Sequence, residues 1–363
     1  MTTRRTPGPA SLPFRHLALA VAVAAVWGVN FVVIDVGLAH FPPLLFSALR
    51  FTVAAVPAVF FVGPPRVAWR WVVAVGVVLG VVKFGLLFLG MHAGMPAGLS
   101  SLVLQSQAVF TAAFAALLLG ERPGRRRLLG LGTGVAGMVL AALDQGSAGP
   151  MGAFALVVVA AVAWGLSNVL TRRAAPPDVF RWMVWVSVVP PVPLLLLSLV
   201  FEGERADLAA LRSIGPTGVG ALLYVAWGAT LFGFGAWGYL MRHHDASVVA
   251  PFSLLVPVFG MSSAWLLLGE PITPLAGCAA LLVIAGIGLG SFGGRADRAH
   301  PAGRGSGVGR VGPVSRAVGA GAGGDGGADG PAHRPGRWTA AAAAGWLGRS
   351  GSPDRSTPPR PAA

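Results

Sequence analysis

Two stretches of this chain are copies of one another. Residues 97–121 read AGLSSLVLQSQAVFTAAFAALLLGE, and residues 246–270 read ASVVAPFSLLVPVFGMSSAWLLLGE. Laid over each other without a gap, they agree at 9 of 25 positions and close on the same five residues, LLLGE. Each is an apolar run long enough to cross a bilayer as a helix. Its duplication predicts a membrane chain made of two similar halves.

The rest of the chain agrees. Only 11% of its 363 residues are charged, against about 25% in soluble domains, and the charges gather in short connections between long apolar runs. Those runs predict ten membrane helices at roughly 17–36, 43–62, 69–90, 97–119, 127–143, 151–170, 181–201, 217–240, 247–268 and 274–293. Prolines fall between them, at Pro42, Pro43, Pro64, Pro65, Pro96, Pro123, Pro150, Pro176, Pro177 and Pro271, where a missing N–H costs least. The first run competes with a secretory signal peptide, since a basic arm precedes it. A retained helix is preferred, because the run exceeds a typical signal core and many more follow.

Basic residues in the connections set the orientation. The arm 1–16 carries Arg4, Arg5 and Arg15, and connection 2–3 carries Arg66 and Arg70. Connection 4–5 carries Arg122, Arg125, Arg126 and Arg127, 6–7 carries Arg172, Arg173 and Arg181, and 8–9 carries Arg242. The alternate connections carry only Arg205 and Arg212, among Glu202, Glu204 and Asp207. The positive-inside rule then puts both termini in the cytoplasm. Five helices per half is an odd number, so the second half must enter the membrane inverted. The first LLLGE is followed by RPGRRR and the second by PITP, as that inversion requires. Two inverted repeats with a site between them is a transporter architecture. The predicted parts are a cytoplasmic arm 1–16, repeats 17–143 and 151–293, and a disordered cytoplasmic tail 294–363 rich in Gly, Ala, Pro and Arg.

The halves match elsewhere. Trp27, Gly28 and Asn30 are echoed by Trp164, Gly165 and Asn168, each set in the first helix of its half. The formal charge of +14 does not indicate nucleic-acid binding, because +6 belongs to the tail (10 Arg, 4 Asp) and the rest sits mostly in loops on one side. The 26 Arg against a single Lys point to a GC-rich bacterial genome, hence a plasma (inner) membrane. Gly132, Gly134 and Gly137 match GxGxxG, but inside an apolar helix rather than after a strand. Gly130 with Gly134 and Gly286 with Gly290 read instead as small-residue pairs for close helix packing. The lone Cys278 reads as a packing residue, and His243 and His244 have no third ligand, so neither metal nor cofactor is expected.

Polar residues inside the spans carry the functional information, since a cation at a helix centre costs about 2.5–3.5 kcal/mol on insertion scales. Arg50 lies seven residues in from Pro43, and Lys83 seven residues from Gly90; at 1.5 Å per residue both are roughly 10 Å below the outer edge. Asn30 and Gln105 fall near the same depth, and Gln107 one step deeper. One reading is a polar cavity in which the cations meet a substrate carboxylate and the amides orient it, with Trp27, Trp164 and Asn168 as further lining. In the other, Arg50 snorkels or bonds to backbone carbonyls, Lys83 reaches the headgroups, and the amides bond between helices. Trp227 and Tyr224 are further lining candidates, and Glu121 and Glu270 are expected to bond locally where their helices end.

Three stretches, WGVNFVVIDVGLAHFPPLLFSALRF (27–51), MPAGLSSLVLQSQAVFT (95–111) and LLVPVFGMSSAWLLLGE (254–270), resemble the EamA family of the drug/metabolite transporter superfamily. Within it the likeness is to the O-acetylserine/cysteine exporter branch, over about residues 17–293. The resemblance implies an all-α membrane protein of ten helices in two inverted five-helix repeats, with a central cavity, exporting amino acids or related metabolites. Asn30, Arg50, Gln105 and Gln107 fall on the branch's pattern. Asp35 and Lys83 depart from it, and an ion pair between the two would explain both departures.

The expected function is therefore secondary export of cysteine-pathway metabolites or similar amino acids by alternating access. The expected partners are a small-molecule substrate and the lipid bilayer, without nucleic acid, and a homodimer is compatible with the chain. A transporter of a drug-like compound, a sugar or a nucleotide-sugar stays open. An integral-membrane enzyme is disfavoured, because the spans show no carboxylate pair, metal set or nucleophile–base pair.

Overall fold

The computed structural model describes residues 13–121, 123–148 and 150–292. The arm and tail expected at 1–16 and 294–363 lie outside these residues, apart from 13–16. Among the described residues there is no strand, and the chain runs through successive helical rods. They are α1 (Phe14–Leu38), α2 (Pro43–Val59), α3 (Trp69–His92), α4 (Ala97–Leu119) and α5 (Arg125–Ala148). After these come α6 (Met151–Ala174), α7 (Val179–Arg212), α8 (Pro216–His243), α9 (Ala250–Leu268) and α10 (Pro274–Phe292). Seven of them, α1, α3, α4, α6, α7, α8 and α9, are long and apolar enough to cross a membrane. In α2, α5 and α10 the apolar stretch is shorter. One segment expected to be a connection is helical: Glu204–Arg212 extends α7 as an amphipathic turn.

The repeated LLLGE acquires a mechanical meaning. Its glycine adopts the left-handed conformation in both copies, φ +67° at Gly120 and +70° at Gly269, and ends α4 and α9. A residue with a Cβ is strained there, which is why glycine stands at this helix end. Each copy also tightens into a 3₁₀ turn before its long α-helical part, at Leu104–Ser106 and at Ala250–Leu254.

The halves interlock rather than lie side by side. A Cβ placed on Gly28 of α1 would stand 2.4 Å from Phe259 Cβ and 2.8 Å from Gly260 N of α9. One on Gly165 of α6 would stand 2.7 Å from Phe110 Cβ and 2.8 Å from Thr111 N of α4. Phe110 and Phe259 are equivalent positions of the repeat, so the same contact is made twice, each time between halves. This superposition aligns Asn30 with Ser167, not with Asn168. The two asparagines therefore sit one residue out of step, about 100° apart around their helices. The fifth helices pack on each other: a Cβ on Gly286 of α10 would fall 2.6 Å from Gly130 O and Gly134 N of α5. Gly130, Gly134 and Gly137 of α5 are thus used for helix contact, whereas Gly132 meets nothing within 4 Å.

Candidate functional site

Arg50 is placed by α2, whose start is pinned. The backbone N–H groups of Leu44 and Leu45 donate to the Glu202 carboxylate of α7 at 2.7 and 3.1 Å, and a carboxylate suits a helix N-terminus. Two turns on, Arg50 is 2% exposed, so it does not snorkel. Its Nη2 donates to Thr230 Oγ1 of α8 at 3.1 Å, and Thr230 Oγ1 in turn donates to Val225 O at 2.9 Å. Thr230 lies in a π-helical stretch, Tyr224–Phe232; such bulges recur at functional sites. Nε and Nη1 of Arg50 are buried without a hydrogen-bond partner.

Lys83 ends a second π-helical stretch, Gly76–Lys83 in α3. It is 4% exposed and does not reach the headgroups. Its Nζ lies 3.2 Å from the ring centroid of Phe84 and 4.8 Å from that of Trp164 in α6. The Arg50 guanidinium lies 3.8 Å from the same Phe84 centroid. The two cationic heads are thus no farther apart than these distances combined, about 7 Å. Unit charges at that spacing repel by about 2 kcal/mol at an effective dielectric near 20. Each cation–π contact returns roughly 0.5–2 kcal/mol. Neither cation has an ion-pair partner among the described residues. Asp35 and Lys83 do not pair, which overturns that expectation: Lys83 turns to the aromatic rings instead.

The amides separate into distinct environments. Asn30 is buried and its Oδ1 has no partner. Gln105 Nε2 donates to Ser253 O at 3.2 Å, joining the two 3₁₀ turns across the halves. Gln107 faces elsewhere: its Oε1 accepts from Asn168 Nδ2 at 2.7 Å and from Thr111 Oγ1 at 3.2 Å, and Asn168 Nδ2 also donates to Thr111 Oγ1 at 3.0 Å. Trp27 spends its indole N–H on Ala229 O at 2.9 Å, Tyr224 its hydroxyl on Val26 O and Trp227 its N–H on Val53 O. The structure therefore sets Arg50 and Lys83 on Phe84 with Trp164 beside Lys83, pairs Gln107 with Asn168, and commits Trp27 to α8. Sequence reasoning missed Thr230 and Phe84. Thr230 was visible as a hydroxyl inside an apolar span, whereas nothing distinguishes Phe84 among 19 phenylalanines.

The glutamates do not act locally. Glu270 accepts the N–H groups of Ala97 and Gly98 at the start of α4. Glu121 pairs with Arg172 of α6. Each links one half to the other. His16 of α1 and His244 meet through ring nitrogens at 2.6 Å, yet among the described residues no group of three side chains could hold a metal.

Described residues that are all helical or in connections, with seven helices fit to cross a membrane, two interlocked halves and a buried cationic cluster, have the build of a multi-pass membrane transporter. The chain belongs to the EamA-like transporter family, whose model matches residues 15–143 and again residues 151–292. It is accordingly a transporter and not an enzyme. It is 41% identical over 286 residues to a "probable amino-acid metabolite efflux pump" of Salmonella typhimurium, covering 77% of this chain and 96% of that protein. It is 38% identical over 281 residues to an Escherichia coli protein of the same name, covering 76% and 94%. A solved crystal structure is similar at a TM-score of 0.54 and 21% identity, covering 77% of this chain and 98% of that one. That likeness concerns the fold.

Proposed function

We propose that this protein exports amino acids or related metabolites, of the cysteine and O-acetylserine kind, by alternating access of a site that includes Arg50. The observation that carries the reading is a guanidinium 2% exposed with Nε and Nη1 unpartnered. A buried cation in this state is costly until an anion meets it, and its free N–H groups can donate charge-assisted hydrogen bonds to a carboxylate. Asn30 Oδ1, buried and unpartnered, suits the substrate ammonium. The efflux-pump names of relatives near 40% identity support the same class of cargo.

In this reading all ten helices span a bacterial inner membrane as two inverted five-helix repeats, 17–143 and 151–293, with both termini cytoplasmic. Lys83, Trp164 and Gln105 complete the site, and the Gln107–Asn168 pair and Trp27 hold its walls. The test is reconstitution into liposomes with uptake of labelled cysteine, O-acetylserine, other amino acids and a cationic dye. Amino-acid uptake that Arg50→Gln abolishes supports the reading. Dye uptake without amino-acid uptake defeats it.

A further inference from the structure

The site holds more positive charge than a neutral amino acid can answer. A zwitterion brings one carboxylate and one ammonium, and so no net charge. Arg50 and Lys83 bring two positive charges, both essentially buried and both resting on the Phe84 ring. The remaining neighbours are neutral: Thr230 on Arg50 and Trp164 on Lys83. Gln107 Oε1, a conceivable acceptor for Lys83, already accepts from Asn168 and Thr111. With a neutral substrate occluded, Lys83 would have to keep an unanswered charge in a low-dielectric interior or give up its proton, and a second anion removes that conflict.

Resting on the reading above, we infer that the preferred cargo is an acidic amino-acid metabolite, carrying a second anionic group besides its α-carboxylate. Arg50 takes the α-carboxylate through its free N–H donors. Lys83 takes the second anion, as a carboxylate, sulfonate or similar group. Lys83 is thereby a specificity-determining residue.

Cysteine and its sulfonate analogue cysteate share a skeleton and differ by one negative charge, so they isolate this feature. In proteoliposomes preloaded with unlabelled cysteine, the full-length protein is assayed for inhibition of labelled-cysteine counterflow by external cysteate, aspartate, cysteine, O-acetylserine, lysine and succinate. Cysteate and aspartate are expected to inhibit at concentrations about tenfold or more below cysteine, the fold-change of one charge-assisted hydrogen bond. Lys83→Gln is expected to collapse the cysteate-to-cysteine ratio toward one. Equal or weaker inhibition by cysteate in the wild-type protein overturns the inference, even if the variant fails to fold. An unchanged ratio in a folded Lys83→Gln variant also overturns it. In both cases amino-acid export itself would stand, whereas absence of all amino-acid counterflow would defeat the parent reading and this one together.

Discussion

The carboxylate of Glu270 accepts a hydrogen bond from the backbone N–H of Ala97 at 2.7 Å. The last residue of the second repeat copy thus holds the first residue of the first copy, 173 positions away. Its other oxygen takes the N–H of Gly98 at 2.9 Å. Two otherwise unsatisfied donors at the start of α4 are met by one anion, as the helix dipole favours.

Glu270→Ala is expected to destabilise the protein by roughly 1–2 kcal/mol, the usual cost of losing an N-cap acceptor, with Glu270→Gln in between. Thermal melts in detergent measure this. Because the contact joins the halves, the loss should appear in the cooperative unfolding of the whole chain. A melt of Glu270→Ala matching the wild type would show that the cap carries no stability.

Arg50 should separate stability from function. Arg50→Met removes a charge that the empty protein does not compensate, and such replacements are often neutral or stabilising, by about 1–4 kcal/mol. Transport of carboxylate-bearing substrates should fall by about tenfold or more in the same variant. A lower melting temperature together with retained transport would contradict both halves of this expectation.

The equivalent glycines Gly28 and Gly165 should respond alike. A methyl group at either overlaps backbone and Cβ atoms of the opposing helix, which cannot swing away as a side-chain tip would. Gly28→Ala and Gly165→Ala are each expected to cost about 1–3 kcal/mol or more through overpacking. Detergent melts and folded yield report it. A tolerant Gly28 beside an intolerant Gly165 would break the equivalence of the two contacts.

Gln107 and Asn168 should be coupled energetically. Each single change to Leu strands a partly buried amide of its partner, while the double change removes both. A double-mutant cycle is expected to give about 0.6 to 1.7 kcal/mol of coupling, the range seen between membrane helices. Additive effects would mean that the 2.7 Å contact contributes nothing.

Arg50 and Asn168 mark how much of the site could be read from the chain. Arg50 was legible, because a lone cation in an apolar span has no cheap environment there and must be held by something. Its partners were not, because Thr230 lies 180 positions away. Asn168 was legible as an echo of Asn30. The packing of Gly28 and Gly165 shows the echo displaced by one residue, and a single residue turns a helical side chain by about 100°.

What the sequence determined by itself are properties a short segment settles against its surroundings. Hydropathy placed the helices, prolines fell between them, and a duplicated run announced two halves. These act locally, so no partner is needed to predict them. Only the tertiary structure decided which face of each helix meets which neighbour. It set Arg50 and Lys83 on one phenylalanine ring, kept Asp35 from Lys83, and carried Glu270 onto Ala97. Rotation about a helix axis and the meeting of two interlocked halves are fixed by packing among residues far apart in the chain, and no local pattern encodes them.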